Sequence, residues 1–251
     1  MSNIIKKTIF LLPLIFIASS CGSKKNDSLV YELKANDTYM VSLKEGSTEK
    51  KVSIPKKYNN KAITEISGFR NNSYIEVVSF QGNITNIESG TFSFCENLKE
   101  INVSNSKYYK SIGGNLYKDD ELIVYASGRT TTTFEIDKNI CSKAFTVAPN
   151  LRKVIINSNR VDNKAFFYVE RLEEVYIGTK TITLDDNFIE GIKPEKLIVN
   201  NEKILKNSNI KGFDKVYVVK DAELSISFLE NYNYVKDEMI DGINYSKYEV
   251  K

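Results

Sequence analysis

The sequence predicts a β-rich solenoid of about six short parallel strands, with turns or short helices on the back. Two observations carry this. First, residues 144–156 (AFTVAPNLRKVII) and 165–177 (AFFYVERLEEVYI) repeat one pattern 21 residues apart. Second, the pattern recurs. With Phe69, Phe92, Phe145, Phe166, Phe188 and the degenerate Asn207 as anchors, positions at offsets 0, 6, 9 and 11 are apolar in 22 of 24 cases. The 41% apolar background gives only about ten (0.41 × 24). Offsets nine and eleven alternate with other residues, as in a half-buried strand. One such strand cannot bury its apolar face alone, but stacked neighbours can.

The anchors lie 23, 53, 21, 22 and 19 residues apart. A period of 21–23 is in the range of leucine-rich repeats. The spacing of 53 reads as one repeat plus an insertion. The fold class is therefore a leucine-rich-repeat solenoid with an N-terminal β-hairpin, one inserted β-hairpin and a capping C-terminal tail.

The elements follow in chain order. Residues 1–20 read as a signal peptide: Lys6 and Lys7 precede an eleven-residue apolar run, Thr8–Ala18, too short to span a bilayer comfortably. Small residues lead to Cys21. This resembles a bacterial lipoprotein signal, which implies cleavage before Cys21 and a diacylglyceryl group on its sulfur. Two acyl chains anchor stably where one is marginal. An ordinary secretory signal with a chance cysteine is the alternative. Residues 21–28 form a polar tether. Residues 29–60 form an N-terminal β cap, and residues 61–219 the repeats, with the inserted hairpin at about 106–133. Residues 220–251, with Tyr232, Tyr234, Tyr245 and Tyr248, form a cap over the last sheet edge, because open edges invite aggregation.

The pieces resemble the BspA-like class of bacterial surface leucine-rich-repeat proteins. ITNIESGTFSFCENLKEINV (84–103) is similar to that family's unit. VSIPKKYNNKAITEI (52–66) resembles its opening strand and turn. SIGGNLYKDDELIVYASG (111–128) resembles its inserted hairpin, TFEI (133–136) the strand after it, and LVYELKANDTYMVSL (29–43) its leading hairpin. The departures are at the ends. The first unit is two residues short between Ile66 and Phe69, Pro194 replaces a core Leu, and Asn207 replaces the last Phe. The resemblance implies adhesion to host or matrix proteins or to other cells.

The chemistry that the sequence excludes is as informative. There is no His, which removes the commonest general base and metal ligand. A net charge of +3 does not make the basic stripe that nucleic acid requires. Asp119-Asp120 and Asp185-Asp186 read as turn residues rather than as catalytic or metal-binding pairs. Cys95 and Cys141 read as two free thiols, Cys95 packed as a small hydrophobe, with a disulfide as the alternative. No catalytic residue, metal ligand or cofactor site is predicted.

Binding on a solenoid uses the sheet face between the buried positions. Offset ten ends in Ile155, Tyr176, Ile198 and Tyr217, an apolar row roughly 14 Å long at about 4.8 Å per strand. Offset eight flanks it with Lys153, Lys196 and Lys215, and with Glu174. Such a row is a candidate partner site. β-propensity alone also explains Ile and Tyr in strands. The expectation is a lipid-anchored cell-surface protein, extracytoplasmic, that binds an extracellular protein and not nucleic acid. A solute-binding or structural envelope lipoprotein is the alternative.

Overall fold

The computed structural model describes residues 27–251. Residues 1–20, where a signal peptide is expected, and Cys21 lie outside them.

The front wall has eight parallel strands rather than six. Lys51–Ile54, Val77–Gln81 and Glu100–Ser104 form one sheet. Thr133–Ile136, Lys153–Ile156, Glu174–Ile177, Lys196–Val199 and Lys215–Val219 run side by side in a second. The register aligns the repeat offsets: Phe134, Val154, Val175, Leu197 and Val216 share one row, and Ile136, Ile156, Ile177, Val199 and Val218 another. Both rows face inward, and all but the half-buried Phe134 are buried.

The two additional units have different anchors. Leu43 and Tyr125 stand eleven residues before the strand residues Ile54 and Ile136, and both are buried. Tyr125 stacks on Phe145 at 4.8 Å between ring centroids. From there the rings continue through Phe166, Phe188 and Phe213 at 4.5, 6.2 and 6.1 Å. Phe213, rather than Asn207, thus holds the last ring position. Offset edge contacts and stacks of this kind add to the area that the rings bury.

Behind the front wall, among the described residues, lie not helices but two further walls of very short strands. Asn139–Ile140, Arg160–Val161 and Thr183–Leu184 pair in one; Phe145–Thr146, Phe166–Phe167 and Ile189–Glu190 pair in the other. With about 21 residues per turn and a four-residue front strand, two-residue strands and corners use up the rest. The one helix among the described residues is Ile226–Asn231 in the tail. It is capped by Ser225, whose Oγ accepts from Phe228 N at 3.0 Å.

The insertion is a meander of Tyr109–Ile112, Asn115–Lys118 and Glu121–Val124. Asp119 and Asp120 turn the second hairpin, with Asp119 in the left-handed region at φ 52°. Glu121–Val124 then pairs in parallel with Asn139–Ile140 and so joins a back wall. Adjacent residues of Asn115–Lys118 enter different cores: Leu116 packs with residues 29–126, and Tyr117 with residues 122–232.

The tail forms a second hairpin, Tyr232–Ile240 with Ile243–Val250. Asp241 and Gly242, at φ 48° and 79°, supply the two left-handed residues that a tight primed turn requires. Ile243–Val250 pairs antiparallel with Lys215–Val219 on the edge of the front sheet.

Candidate interaction face

Along the front wall, the outward position between the two buried rows changes character. At the N-terminal end it holds Ser53, Ser79 and Asn102, which line a shallow groove of about 310 Å³ with neighbouring strand residues. Glu135 follows, exposed, and then the predicted row of Ile155, Tyr176, Ile198 and Tyr217, brought side by side by the parallel register.

Half of that row is not available. Ile198 is only 3% exposed and Tyr217 6%. The cover is the tail hairpin. Because Tyr245 pairs with Val219, its side chain falls on the front side with Tyr217. It packs with Ile198 and Tyr217, and Ile240 and Ile243 at the hairpin tip join the same cluster. Tyr176 lies half-buried at the margin, where its hydroxyl accepts from Asn200 Nδ2 at 3.0 Å. Burial, together with a hydrogen bond to Tyr176, pushes the Tyr245 phenol well above its usual range. Ile155 and Tyr176 are the members of the row that keep half-exposed side chains.

The lysine flank is also changed. Lys153 Nζ lies 2.6 Å from Glu174, and Lys196 Nζ lies 3.5 Å from the same carboxylate. Lys215 pairs with Glu195 at 2.6 Å, which raises its pKa. Lys196 also sits 4.8 Å above the Tyr217 ring. The flank is a ladder of paired charges, not a free positive rim. Exposed pairs of this kind contribute little stability, about 0–1 kcal/mol each. The strand periodicity found the row; its cover was written in the alternation of INYSKYEV and in Asp241-Gly242, which sequence patterning left undetailed.

The other titratable features have local partners. Asp185 Oδ1 accepts from Asn163 Nδ2 and Asn187 N, and Asp186 Oδ1 from Ser208 Oγ and Asn209 N, all within 3.1 Å. Lys138 pairs with Asp120 at 3.0 Å. Cys95 and Cys141 are free thiols. Cys95 Sγ donates to Phe69 O at 3.0 Å, and burial pushes its pKa up to about 11. Burial and the nearby Glu121 carboxylate push Cys141 up to about 12. A surface cavity of about 400 Å³ at residues 179–184 and 201–208 is lined mainly by Thr and Asn side chains, with one carboxylate, Asp186. No group of three or more metal-ligating side chains occurs among the described residues, and no helix there is long and apolar enough to cross a membrane.

The fold has known counterparts. The structure is similar to the crystal structure of the pneumococcal vaccine antigen PcpA, with a TM-score of 0.53 and 15% identity, over 81% of this chain and 64% of that one. This chain thus spans just under two thirds of the antigen's solved length. A leucine-rich repeat protein from Eubacterium ventriosum matches at a TM-score of 0.42 and 13% identity, over 87% of this chain and 98% of that one. A leucine rich cell surface protein from Faecalibacterium prausnitzii matches at 0.39 and 13%, over 77% and 93%. No curated protein matches the sequence. The model of the BspA type leucine rich repeat region matches in six copies, over residues 45–124 and 138–249. That match takes in most of the chain, and its limits enclose all eight front strands but one, Thr133–Ile136, the unit anchored by Tyr125. The chain belongs to the BspA-type leucine-rich-repeat family.

Proposed function

We propose that this protein is a lipid-anchored cell-surface module that holds macromolecular partners, in adhesion or in contact with host or matrix proteins, on its front sheet. One observation carries the reading: an eight-strand rigid face whose outward row passes from Ser53, Ser79 and Asn102 to Ile155 and Tyr176. A mixed face with an aromatic anchor and polar surroundings is what a protein interface uses. The partner-facing residues in this reading are Ile155 and Tyr176, with Lys153 and Lys196 beside them. Ile198, Tyr217 and Lys215 support them from beneath or beside the tail. Members of this family are scaffolds and adhesins rather than enzymes, and the reading calls for no cofactor. Cys21 supplies the membrane anchor.

The test is binding of residues 22–251 to immobilised matrix and plasma proteins and to whole cells, beside an Ile155→Ser/Tyr176→Ser variant shown by circular dichroism to be folded. Binding by the parent and its loss in the variant support the face. Equal binding by both moves the site elsewhere. No binding to any surface refutes the adhesive reading for that panel. The anchor is tested separately, by incorporation of labelled fatty acid into the parent and not into Cys21→Ser.

A further inference from the structure

We propose that a side wall of the solenoid carries a binding site for an acidic sugar residue, built from Phe94, Phe167 and Tyr168 between Arg70 and Lys143.

The first observation is conformational. Two residues after four of the six anchors, Phe69, Phe92, Phe145 and Phe166, the chain turns a corner in the left-handed region: Asn71 at φ 61°, Phe94 at 61°, Val147 at 64° and Tyr168 at 54°. Asn suits that conformation; bulky residues adopt it only at a cost. At one of the four corners the sequence supplies the suited Asn71; at the other three it supplies the β-branched Val147 or a large ring, Phe94 and Tyr168. Strain of this kind gathers where function selects it.

Those two rings meet. Phe94 lies 5.9 Å from Phe167 and 6.2 Å from Tyr168, and Phe167 lies 4.7 Å from Tyr168 at nearly a right angle. Phe94 and Phe167 are half-buried, and Tyr168 is 42% exposed. Gly191 makes room for the third ring. A Cβ at that position would come within 2.7 Å of the Tyr168 ring, and its φ of 73° independently favours glycine. The three rings thus form a seated, solvent-facing shelf rather than part of the core.

The shelf is electrostatically one-sided. Arg70, Lys143 and Ser93 line the same open cavity, of about 430 Å³. Lys143 Nζ sits 5.2 Å from the centre of the Phe167 ring. Neither cation has a carboxylate within 4.0 Å among the described residues, whereas Lys153, Lys196 and Lys215 of the front face are paired. An aromatic face carries negative charge density and its rim positive. A carboxylate is therefore repelled from the ring faces and drawn to Arg70 and Lys143, while weakly polarised C–H groups are drawn to the faces. A pyranose bearing a carboxylate offers both: an apolar C–H face and an anionic edge. Its hydroxyls match Ser93 Oγ and Tyr168 Oη. The cavity volume is at the small-ligand end of binding sites, the size of one or two sugar rings.

The test uses the full chain in mild detergent and ligand-observed NMR with methyl glucuronide, methyl glucoside and acetate as probes. Methyl glucuronide is expected to bind at least tenfold more tightly than either control. Phe94→Asn and Tyr168→Asn place the conformationally suited residue at each corner. They are expected to leave the melting temperature unchanged or raised and to weaken glucuronide binding tenfold or more. Arg70→Gln and Lys143→Gln, which leave all three rings in place, are expected to remove the preference for glucuronide over glucoside. Acetate binding as well as glucuronide leaves only an anion site and overturns the proposal. So do glucuronide binding that survives both ring variants, and binding to phosphatidylglycerol vesicles that the same four variants abolish while glucuronide does not bind.

Discussion

Replacing Tyr245 by Ser removes the cover from the front face. Tyr245 is 1% exposed and packs on Ile198 and Tyr217. A buried aromatic side chain hides about 150–250 Å². At about 25 cal/mol per Å² that is roughly 4–6 kcal/mol, an upper bound because unfolded chains already bury part of it. The site is at the sheet surface, where water fills the gap, so about 2–4 kcal/mol is expected, at or below the roughly 3–5 kcal/mol of core aromatic truncations. The loss falls mainly on the hairpin, because this cluster is its contact on the front side, while Lys215–Val219 and, on the other side, Tyr248 against Phe228 still tie Ile243–Val250 to the body. Amide hydrogen exchange of residues 243–250 is therefore expected to accelerate roughly 30- to 700-fold, taking about 1.4 kcal/mol per factor of ten. Amides of Lys153–Ile156, four strands away, are expected to change little. Binding of an apolar dye rises as Ile198 and Tyr217 are uncovered. Exchange at 243–250 within threefold of the parent, or uniform acceleration across the whole sheet, refutes the idea of a separately held cover.

Other perturbations read other parts of the fold. Phe166→Ala, in the middle of the ring ladder and fully buried, is expected to cost about 3–5 kcal/mol and to lower the melting temperature by roughly 6–20 °C in calorimetry. Lys99 and Lys50 hold the Glu76 carboxylate down to about 2. A folded pKa below the unfolded value of about 4.3 means that its contribution is complete above that pH and is lost as pH falls towards 2. The stability gap between parent and Glu76→Gln is thus expected to stay constant from pH 5 to 8 and to close on acidification, measured by urea unfolding. In a Cys21→Ser chain at pH 8, a thiol reagent is expected to react fast with neither Cys95 nor Cys141 until denaturant is added, and then to count two thiols. A count of zero would mean a disulfide.

The front strands were legible because period-two alternation survives in every unit, even where the anchor does not. Val154, Ile156, Val175 and Ile177 announce their strands from sequence alone. The strands of the two additional units, Lys51–Ile54 and Thr133–Ile136, were legible through the family resemblance, but not as repeats, because their anchors are Leu43 and Tyr125, which pack as the phenylalanines do but spell differently. The candidate row was legible as a periodicity, yet its exposure was not. Whether Ile198 faces solvent depends on where Tyr245 arrives, 47 residues later in the chain, and no local pattern encodes that contact. The aromatic shelf is invisible to periodicity for another reason: nothing in the letters of Phe94 or Tyr168 states a positive φ, and Phe94 meets Phe167 across 72 intervening residues.

Asn115–Lys118 deals its side chains alternately to two cores, Leu116 to one and Tyr117 to the other. A linear array in which each turn touches only its neighbours melts as a chain of coupled segments, and the coupling is only as strong as its weakest joint. Here the front wall is interrupted, since Glu100–Ser104 and Thr133–Ile136 belong to separate sheets, so this strand is a main mechanical link between the halves. Weakening it would change the sharpness of melting before its midpoint. Leu116→Ala and Tyr117→Ala each loosen one half, and together they split one cooperative transition into two. The inserted meander is thereby one of the elements that tie two short stacks into one molecule, beside the contact of Phe94 with Phe167 and Tyr168.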